Sequence, residues 1–581
     1  MASQTFAPPL CDWDDPPNPT LNTWTTVNAA EVVPGVWHPL LSGWYQARQR
    51  RLFAAMFRRL GIPDSQIPIY PAPTPNFLAS WAGQLALNVS FTTAIVSSYQ
   101  TGAGSNAVEQ LFTADEEGGH HAEAATDPEA AKKVRTRLFR ILGQGSRMAA
   151  GDRKRAVTLV TEVDEADLPS LSDAKLRRLQ VKVDRLMEDL FENHIMLSVL
   201  ASGEYVSMLE QFLSAAIDDL DDDATVRLTS GLGNVESARP MESLWAQSRA
   251  IIADTDLTSA FAGLSTVEIK ERFEAPPDAA WQQAADGFGV FLRDFGYRSQ
   301  SEWDLGVPRW REEPLFPLNA LRNMVGAGSA QAPSDAAGRA EAARREAESH
   351  YRALLPASKR SGYDRLLLKA QQFVRIREFT KATVIMAIGR GRDTMLAQGA
   401  RFVERGWLRD PDDVFFLLYD EFEQGVAGHL DPAETLPAIV RRRRQFEDVA
   451  GYRLPDNFEG LPEIRRIEAA PEPTATLKGL GVSPGVVTGP ARVIPTFSEG
   501  AMVDFKPGEI LVAPYTDAPW TPLFATAAAV VVETGGVLSH AATVAREYGI
   551  PAVAMIKDAT RMIKNGQTIT VHGGAGQVTL G

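Results

Sequence analysis

The sequence predicts a multidomain protein in which a large, mainly α-helical region is followed by a compact β/α domain. Three observations carry that expectation. The chain has 581 residues, several times what one hydrophobic core usually organises. From residue 21 to residue 463 apolar residues recur at helical spacing, whereas after residue 463 short β-type runs punctuated by Gly and Pro take over. Hydrophobic residues make up 44% and charged residues 23%, a balance that supports a packed core and excludes wholesale disorder.

Residues 1–20, rich in Pro, Asp and Asn, read as an irregular lead-in. Residues 21–463 form the helical region. Within it, residues 173–211 place Leu176, Leu179, Val183, Leu186, Leu190 and Phe191 three or four apart with Lys, Arg and Asp between, the period of one amphipathic helix. Residues 338–355 and 363–405 repeat that logic, and the Ala/Gly/Ser/Pro stretch 326–338 reads as a surface loop. No charge occurs between Asp64 and Glu109, yet Gln84, Asn88, Thr92, Thr93, Ser97 and Ser98 leave no apolar run of about 18 residues. A helix buried in the protein is expected there, not a membrane span. The acidic run Asp218, Asp219, Asp221, Asp222 and Asp223 lacks calcium-loop spacing and reads as a solvated helix end. Gly118 and Gly119 interrupt Glu116, Glu117, His120, His121 and Glu123, which read as a mobile loop, so no metal site is expected.

The formal net charge of −14 argues against a nucleic-acid backbone as the main partner. Cys11 is the only cysteine, which excludes an intramolecular disulfide and a multi-cysteine metal site. The opening residues lack a basic segment followed by an apolar one, and a cytoplasmic location is expected. Residues 464–477, with AAPEPTAT at 469–476, read as a hinge linker. Residues 478–581 then form the closing domain, with β-type runs at 509–513, 528–533, 552–556, 568–571 and 577–580 and one helix at 540–548.

The most informative stretch is 533–553, ETGGVLSHAATVAREYGIPAV. A β-run ends at Glu533, Gly535 and Gly536 permit a tight turn, and Ser539 stands where an N-cap would precede a helix. His540 then sits on the first turn, and Gly549 with Pro551 stops the helix. Backbone N–H groups and the helix dipole favour an anion at that end, so a phosphoryl group carried on the imidazole would be held by backbone donors. A neutral imidazole is nucleophilic near neutral pH, and its phosphoramidate can pass the group on. The alternative is a capping or core histidine. The string TGG-x-x-SHAA-x-x-AR-x-x-GIPAV resembles the phosphohistidine signature of the dikinase, or PEP-utilising, family. GVSPGVVTGPARV at 481–493 and TDAPWTPLF at 516–524 resemble the same family's swivelling domain, in the right order. The resemblance implies that His540 is the phosphoryl carrier, with Gly535, Gly536 and Ser539 at the phosphate. Arg546 reads as a structural ion pair or a phosphate contact, Thr516 and Asp517 as an Asx-type turn or a contact to the histidine loop, and His572 as structural.

The helical region is similar to rifampicin phosphotransferase-like proteins in several blocks: WTTVNAAEVVPGVWHPL at 24–40, FGYRSQSEWDLGVPRWREEP at 295–314, VRIREFTK at 374–381, GRD at 391–393 and PDDVFFL at 411–417. Transfer of a phosphoryl group to a hydroxyl needs cations for the oxygens and a base for the proton. Arg298 and Arg309 are the candidate cations, Glu302 and Asp304 the candidate bases, and His38 and Tyr297 candidate acceptor contacts, with His38 a further base. A buried ion-pair network would use the same residue types. Many relatives have His where Tyr297 stands, so no proton-transfer role is carried over to that position. Arg375, Arg377 and Lys381 could face an anion or form a solvated face.

No glycine-rich phosphate loop followed by Lys occurs, and no pyruvate-binding barrel finds room. The resemblance, which extends to phenylphosphate synthase-like proteins, therefore implies a two-component system. A separate ATP-grasp subunit would hold ATP and Mg2+, His540 would carry the β-phosphoryl, and AMP and inorganic phosphate would be released. The uncharged segment 65–108 and 11 tryptophans suggest an apolar acceptor pocket that would fit a phenol, a benzylic alcohol or a macrocyclic antibiotic, with an aromatic hydroxyl compound preferred. The alternatives are pyruvate phosphorylation of the PEP synthase type and a non-enzymatic phosphohistidine relay.

Overall fold

The computed structural model describes residues 5–26, 35–62, 70, 74–97, 127–221, 223–233, 235–326, 333–467, 474–495, 505–536 and 539–581. The chain divides into two compact units, one of Met1–Ser207, Ser301–Val307 and Thr380–Glu468, the other of Met208–Gln300, Pro308–Phe379 and Ala469–Gly581. The helical region is thus shared between the units, and the C-terminal β/α domain is grouped with its middle part.

In the first unit, helices Pro39–Leu60, Pro128–Gly143, Gly145–Glu165 and Asp173–His194 start where local chemistry allows. Pro39 and Pro128 occupy first helical positions, and Asp127 accepts from the Glu129 and Ala130 amides at 3.1 and 3.0 Å. Leu176, Leu179, Val183 and Leu190 are buried along one stripe, as their spacing predicts, together with Met187, while Leu186 and Phe191 are half-buried. The single helix expected over 173–211 is interrupted: Asp173–His194 passes into a π-helical turn at Ile195–Leu200 before Ala201–Ser214 continues. A π-turn inserts a residue into the ladder, which hydrophobic period alone does not register.

The uncharged stretch corrects a second expectation. In place of one buried helix it contains strands β3 (Leu78–Trp81) and β4 (Gln84–Asn88) and a short helix, Val89–Ser97. Ala82 and Gly83 form the two-residue loop, with φ of 49° and 65°, the hairpin turn that matches strand twist. Together with β2 (Thr23–Thr25) and β6 (Asn457–Glu459) they make a sheet of order β3-β4-β2-β6, over which Trp24 and Trp81 meet edge-on at 5.0 Å. From Thr5 onward the lead-in takes part in sheet pairing too. Strand β1 (Thr5–Phe6) pairs with β7 (Ile464–Arg466), which also pairs with β5 (Tyr452–Arg453), and half-buried Asp15 accepts from the Ser80 amide at 2.7 Å. Both ends of the expected linker are therefore in sheets, and its middle, 468–473, lies outside the described residues. So do 116–123, Asp222 and residues 27–34 of the 24–40 block. Among the described residues no helix is long and apolar enough to cross a membrane.

The second unit holds helices Arg239–Ile252, Thr255–Gly263, Thr266–Glu274, Ala279–Phe295 and Leu315–Gly326 around an aromatic seam. Trp281 stacks on Phe261 at 5.4 Å and Phe291 on Trp310 at 5.9 Å. The expected loop 326–338 is shorter than its composition suggests, because Pro333 opens the helix Pro333–Leu354. Proline's fixed φ is preorganised for a first turn. The closing domain is an eight-stranded sheet of order β8-β15-β14-β10-β11-β12-β13-β9. Five of its strands match the expected runs: β11 (Ile510–Ala513), β12 (Ala529–Val532), β13 (Ala552–Ala554), β14 (Thr568–His572) and β15 (Gln577–Leu580). Three more, β8 (Thr476–Lys478), β9 (Leu480–Ser483) and β10 (Val486–Val493), are weak in sequence because Gly479, Gly481, Gly485, Gly489 and Pro490 break the pattern. Pairing rescues β10: it runs parallel to β11 and antiparallel to β14. Strands β10 to β13 are parallel neighbours, and the crossover from β12 to β13 contains the helix His540–Glu547.

The hairpin turn makes a simple prediction. A Cβ at Gly83 would lie 2.6 Å from Val36 Cγ1 at a φ that L side chains disfavour, so Gly83→Ala is expected to cost about 1–3 kcal/mol in a denaturant titration.

Candidate functional site

The histidine loop is built by the crossover from β12 to β13. After Val532 the chain turns through Gly535, at φ 124°, where a Cβ would come 3.0 Å from Ser539 Cβ. The Ser539 amide donates to the Gly536 carbonyl at 3.0 Å, and Ser539 Oγ caps the following helix by accepting from the Ala542 amide at 3.2 Å. Val537 and Leu538 lie outside the described residues. His540 is the first residue of the helix His540–Glu547 and is 5% exposed. Its Nε2 lies 3.2 Å from Thr521 Oγ1, and the Phe524 ring stands edge-on at 6.3 Å. The segment 516–524 thus touches the histidine through Thr521 and Phe524. Thr516 and Asp517 are buried, and the Asp517 carbonyl accepts from the Trp520 amide at 2.8 Å, a backbone turn.

Arg546 is buried on the same helix and donates to the Val482 carbonyl at 3.4 Å; burial pulls its guanidinium down to about 10. His572 ends β14, paired in register with Val486 and Gln577.

In the first unit, residues 301–307 carry two of the sequence-selected carboxylates. Asp304 Oδ2 meets His38 Nδ1 at 2.8 Å and the His38 amide at 3.3 Å, and its other oxygen accepts from the Gly306 amide at 2.8 Å. Burial pushes the Asp304 carboxyl up, but the imidazole and these donors outweigh it and hold Asp304 below its ordinary 3.8. A Cβ at Gly306 would collide with the His38 ring. Arg392, from the GRD block, donates to the Leu305 and Gly306 carbonyls at 3.0 Å each and fixes this loop. Phe415 and Phe416, from the PDDVFFL block, and Phe446 surround the His38 ring at 6.2, 5.2 and 4.6 Å. Glu302, fully buried, is 3.6 Å from Lys381 Nζ. Sequence reasoning passed over His194, which is buried at the π-turn with Nδ1 2.9 Å from Thr380 Oγ1 and its ring 5.8 Å from Trp303. A π-bulge often marks a functional position, but it leaves no trace in composition.

Tyr297, Arg298 and Arg309 belong to the second unit, so the 295–314 block is divided between the two. Arg298 is buried over the Tyr297 ring at 5.5 Å and donates to the Glu236 carbonyl at 3.5 Å. Arg309, also buried, donates to Ser299 Oγ at 2.6 Å. Arg375 donates to the Leu232 carbonyl at 2.6 Å. Among the described residues no group of three or more His, Cys, Asp or Glu side chains is arranged to hold a metal ion.

Residues 505–576, which contain the β12–His540–β13 crossover, match the PEP-utilising enzyme mobile domain. The chain carries that mobile domain. Residues 194–378 match the rifampicin phosphotransferase fourth domain, a span that opens at the π-turn and closes at the unit boundary within the Ala357–Glu404 helix. The resemblance to the PEP-utilising dikinase family holds over both stretches. A rifampicin phosphotransferase of a Streptomyces species is 33% identical over 317 residues, 53% of this chain and 36% of that one. A prodigiosin synthesizing transferase of Serratia marcescens is 31% identical over 309 residues, 52% and 34% of the two chains. An uncharacterized phosphotransferase of Bacillus subtilis is 28% identical over 353 residues, 58% and 41%. The chain therefore spans about a third to two fifths of the length of these relatives. His540 of the mobile domain lies inside its matched stretch, as Tyr297, Arg298, Glu302, Asp304 and Arg309 do in the other; His38 lies outside both.

Two outcomes are expected. Gly535→Ala should strain the turn and lower stability, whereas Gly536→Ala, whose Cβ meets nothing within 4 Å, should fold normally; thermal melts separate them. Asp304 has a depressed folded-state pKa, so its stabilising contribution is present above the unfolded value and lost as pH falls through the folded one. The stability difference between wild type and Asp304→Asn should shrink as pH is lowered from about 5 to about 2 in denaturant titrations.

Proposed function

We propose that this chain is a phosphotransferase component in which His540 takes a phosphoryl group originating from ATP and passes it to a small hydroxyl compound. The observation that supports this most is His540 at the first position of a serine-capped helix, at the C-terminal end of β12, inside the stretch matching a PEP-utilising mobile domain. Open α/β sheets bind ligands at such strand ends, and a helix N-terminus receives an anion. In loading, an imidazole nitrogen attacks phosphorus; the N–P bond forms, and the P–O bond breaks with its electron pair leaving on oxygen. In discharge the acceptor hydroxyl oxygen attacks, the N–P electron pair returns to the ring, and the hydroxyl proton passes to a base.

His38 is the base in this reading, and Asp304 is its positioning partner. A buried carboxylate held below its ordinary pKa is a weak proton acceptor, whereas a carboxylate on Nδ1 orients an imidazole whose Nε2 can take a proton. The phenylalanines around His38 favour an aromatic hydroxyl acceptor. In the same unit as His38, Glu302 holds Lys381. This reading keeps ATP and Mg2+ on a separate ATP-grasp partner, as the resemblance to phenylphosphate synthase-like proteins implies.

Labelled ATP with a candidate ATP-grasp protein tests the scheme. Wild type is expected to take acid-labile, base-stable label, and His540→Ala none while remaining folded. His38→Gln is expected to load normally and discharge about 10²–10⁴-fold more slowly onto a phenolic acceptor. Label on His540→Ala overturns the carrier role; wild-type discharge by His38→Gln overturns the base.

A further inference from the structure

Glu547 closes the helix that His540 opens. Seven residues separate them, two helical turns, so their side chains lie within about 20° of each other around the axis. Glu547 is 5% exposed, and its two carboxylate oxygens go to successive backbone amides: Oε1 accepts from Leu232 at 2.9 Å and Oε2 from Gly233 at 3.2 Å. The loop offering those amides is shaped for it. Gly231 and Gly233 adopt φ of 55° and 64°, and a Cβ at Gly231 would collide with the Ala340 backbone. From the other side Arg344 donates to the Gly231 carbonyl at 3.1 Å and Arg375 to the Leu232 carbonyl at 2.6 Å. Guanidinium groups thus take the carbonyls of the turn while its N–H groups converge on one carboxylate, the arrangement of a backbone anion nest.

We infer that the Gly231–Gly233 turn is a docking seat for the carrier helix, a backbone nest whose ligand is the Glu547 carboxylate, and that Glu547 is the positioning residue the carrier releases when it travels. Glu547 lies on the same face as His540, so seating it fixes which way that face is turned. Burial pushes the Glu547 carboxyl up despite the two N–H donors and the nearby Arg546 and Arg375. The travel of the carrier rests on the proposed phosphoryl transfer; the seat itself rests on the hydrogen bonds.

The test is Glu547→Gln in the full chain, which keeps the side-chain volume but sets an amide NH2 against one of the two N–H donors. Amide hydrogen exchange at Leu232 and Gly233 is expected to speed up about tenfold, with exchange in β10–β12 unchanged. With a loading partner and an acceptor, label uptake on His540 should rise and its discharge fall, a split that a merely structural glutamate would not produce. Unchanged exchange at Leu232 and Gly233, or acceleration spread uniformly over sheet and helices, overturns the seat; so does an unchanged loading-to-discharge ratio in a variant that loads. Should wild type take no label at all, the carrier reading fails, and the exchange data still decide the seat.

Discussion

The site depends on a backbone constraint: two adjacent parallel strands, β12 and β13, cannot be joined by a tight turn, so the chain must leave the sheet and return by way of a helix. The start of that helix falls at the strand ends, and Ser539 caps it with a hydrogen bond to the Ala542 amide. Everything said of His540 follows from this. Its ring sits on the first turn of that helix, against Thr521 and Phe524 from the segment after β11. The fully buried strands beneath, with Val512, Val531 and Val553 all at 0% exposure, leave that end little freedom to move.

A second constraint organises the loop 301–307. Asp304 is buried with a charge that must be answered, and the answer comes from His38, some 266 positions away in sequence, and from the Gly306 amide. Arg392 then ties down the carbonyls of the same loop. Sequence blocks that look unrelated, at 24–40, 391–393 and 411–417, therefore meet around one imidazole. The residue types suited an ion-pair network or a proton-transfer site equally; the His38–Asp304 hydrogen bond is what makes an oriented imidazole available.

Much of the closing domain was legible beforehand. Gly535, Ser539 and Pro551 each have a local physical role in turn, cap and stop, so residues 533–553 could be read without tertiary information. Strands β11 to β15 were legible because they are apolar runs between turn residues. The hairpin β3–β4 was not: an uncharged run suits a buried helix as well as buried strands, and only the left-handed pair Ala82–Gly83 distinguishes them. The π-turn at Ile195–Leu200 was hidden for a different reason, since an inserted residue leaves the amphipathic pattern intact on both sides.

The sequence by itself determined the His540 loop, because capping, turning and helix termination act over a few neighbouring residues whose identities are enough to specify them. Tertiary structure alone decided which partners the buried polar groups found: His38 for Asp304, Lys381 for Glu302, the amides of Leu232 and Gly233 for Glu547. Those choices follow from the cost of burying a charge unpaired, which is met by whatever donor the packing of distant segments brings near, and no local pattern encodes that.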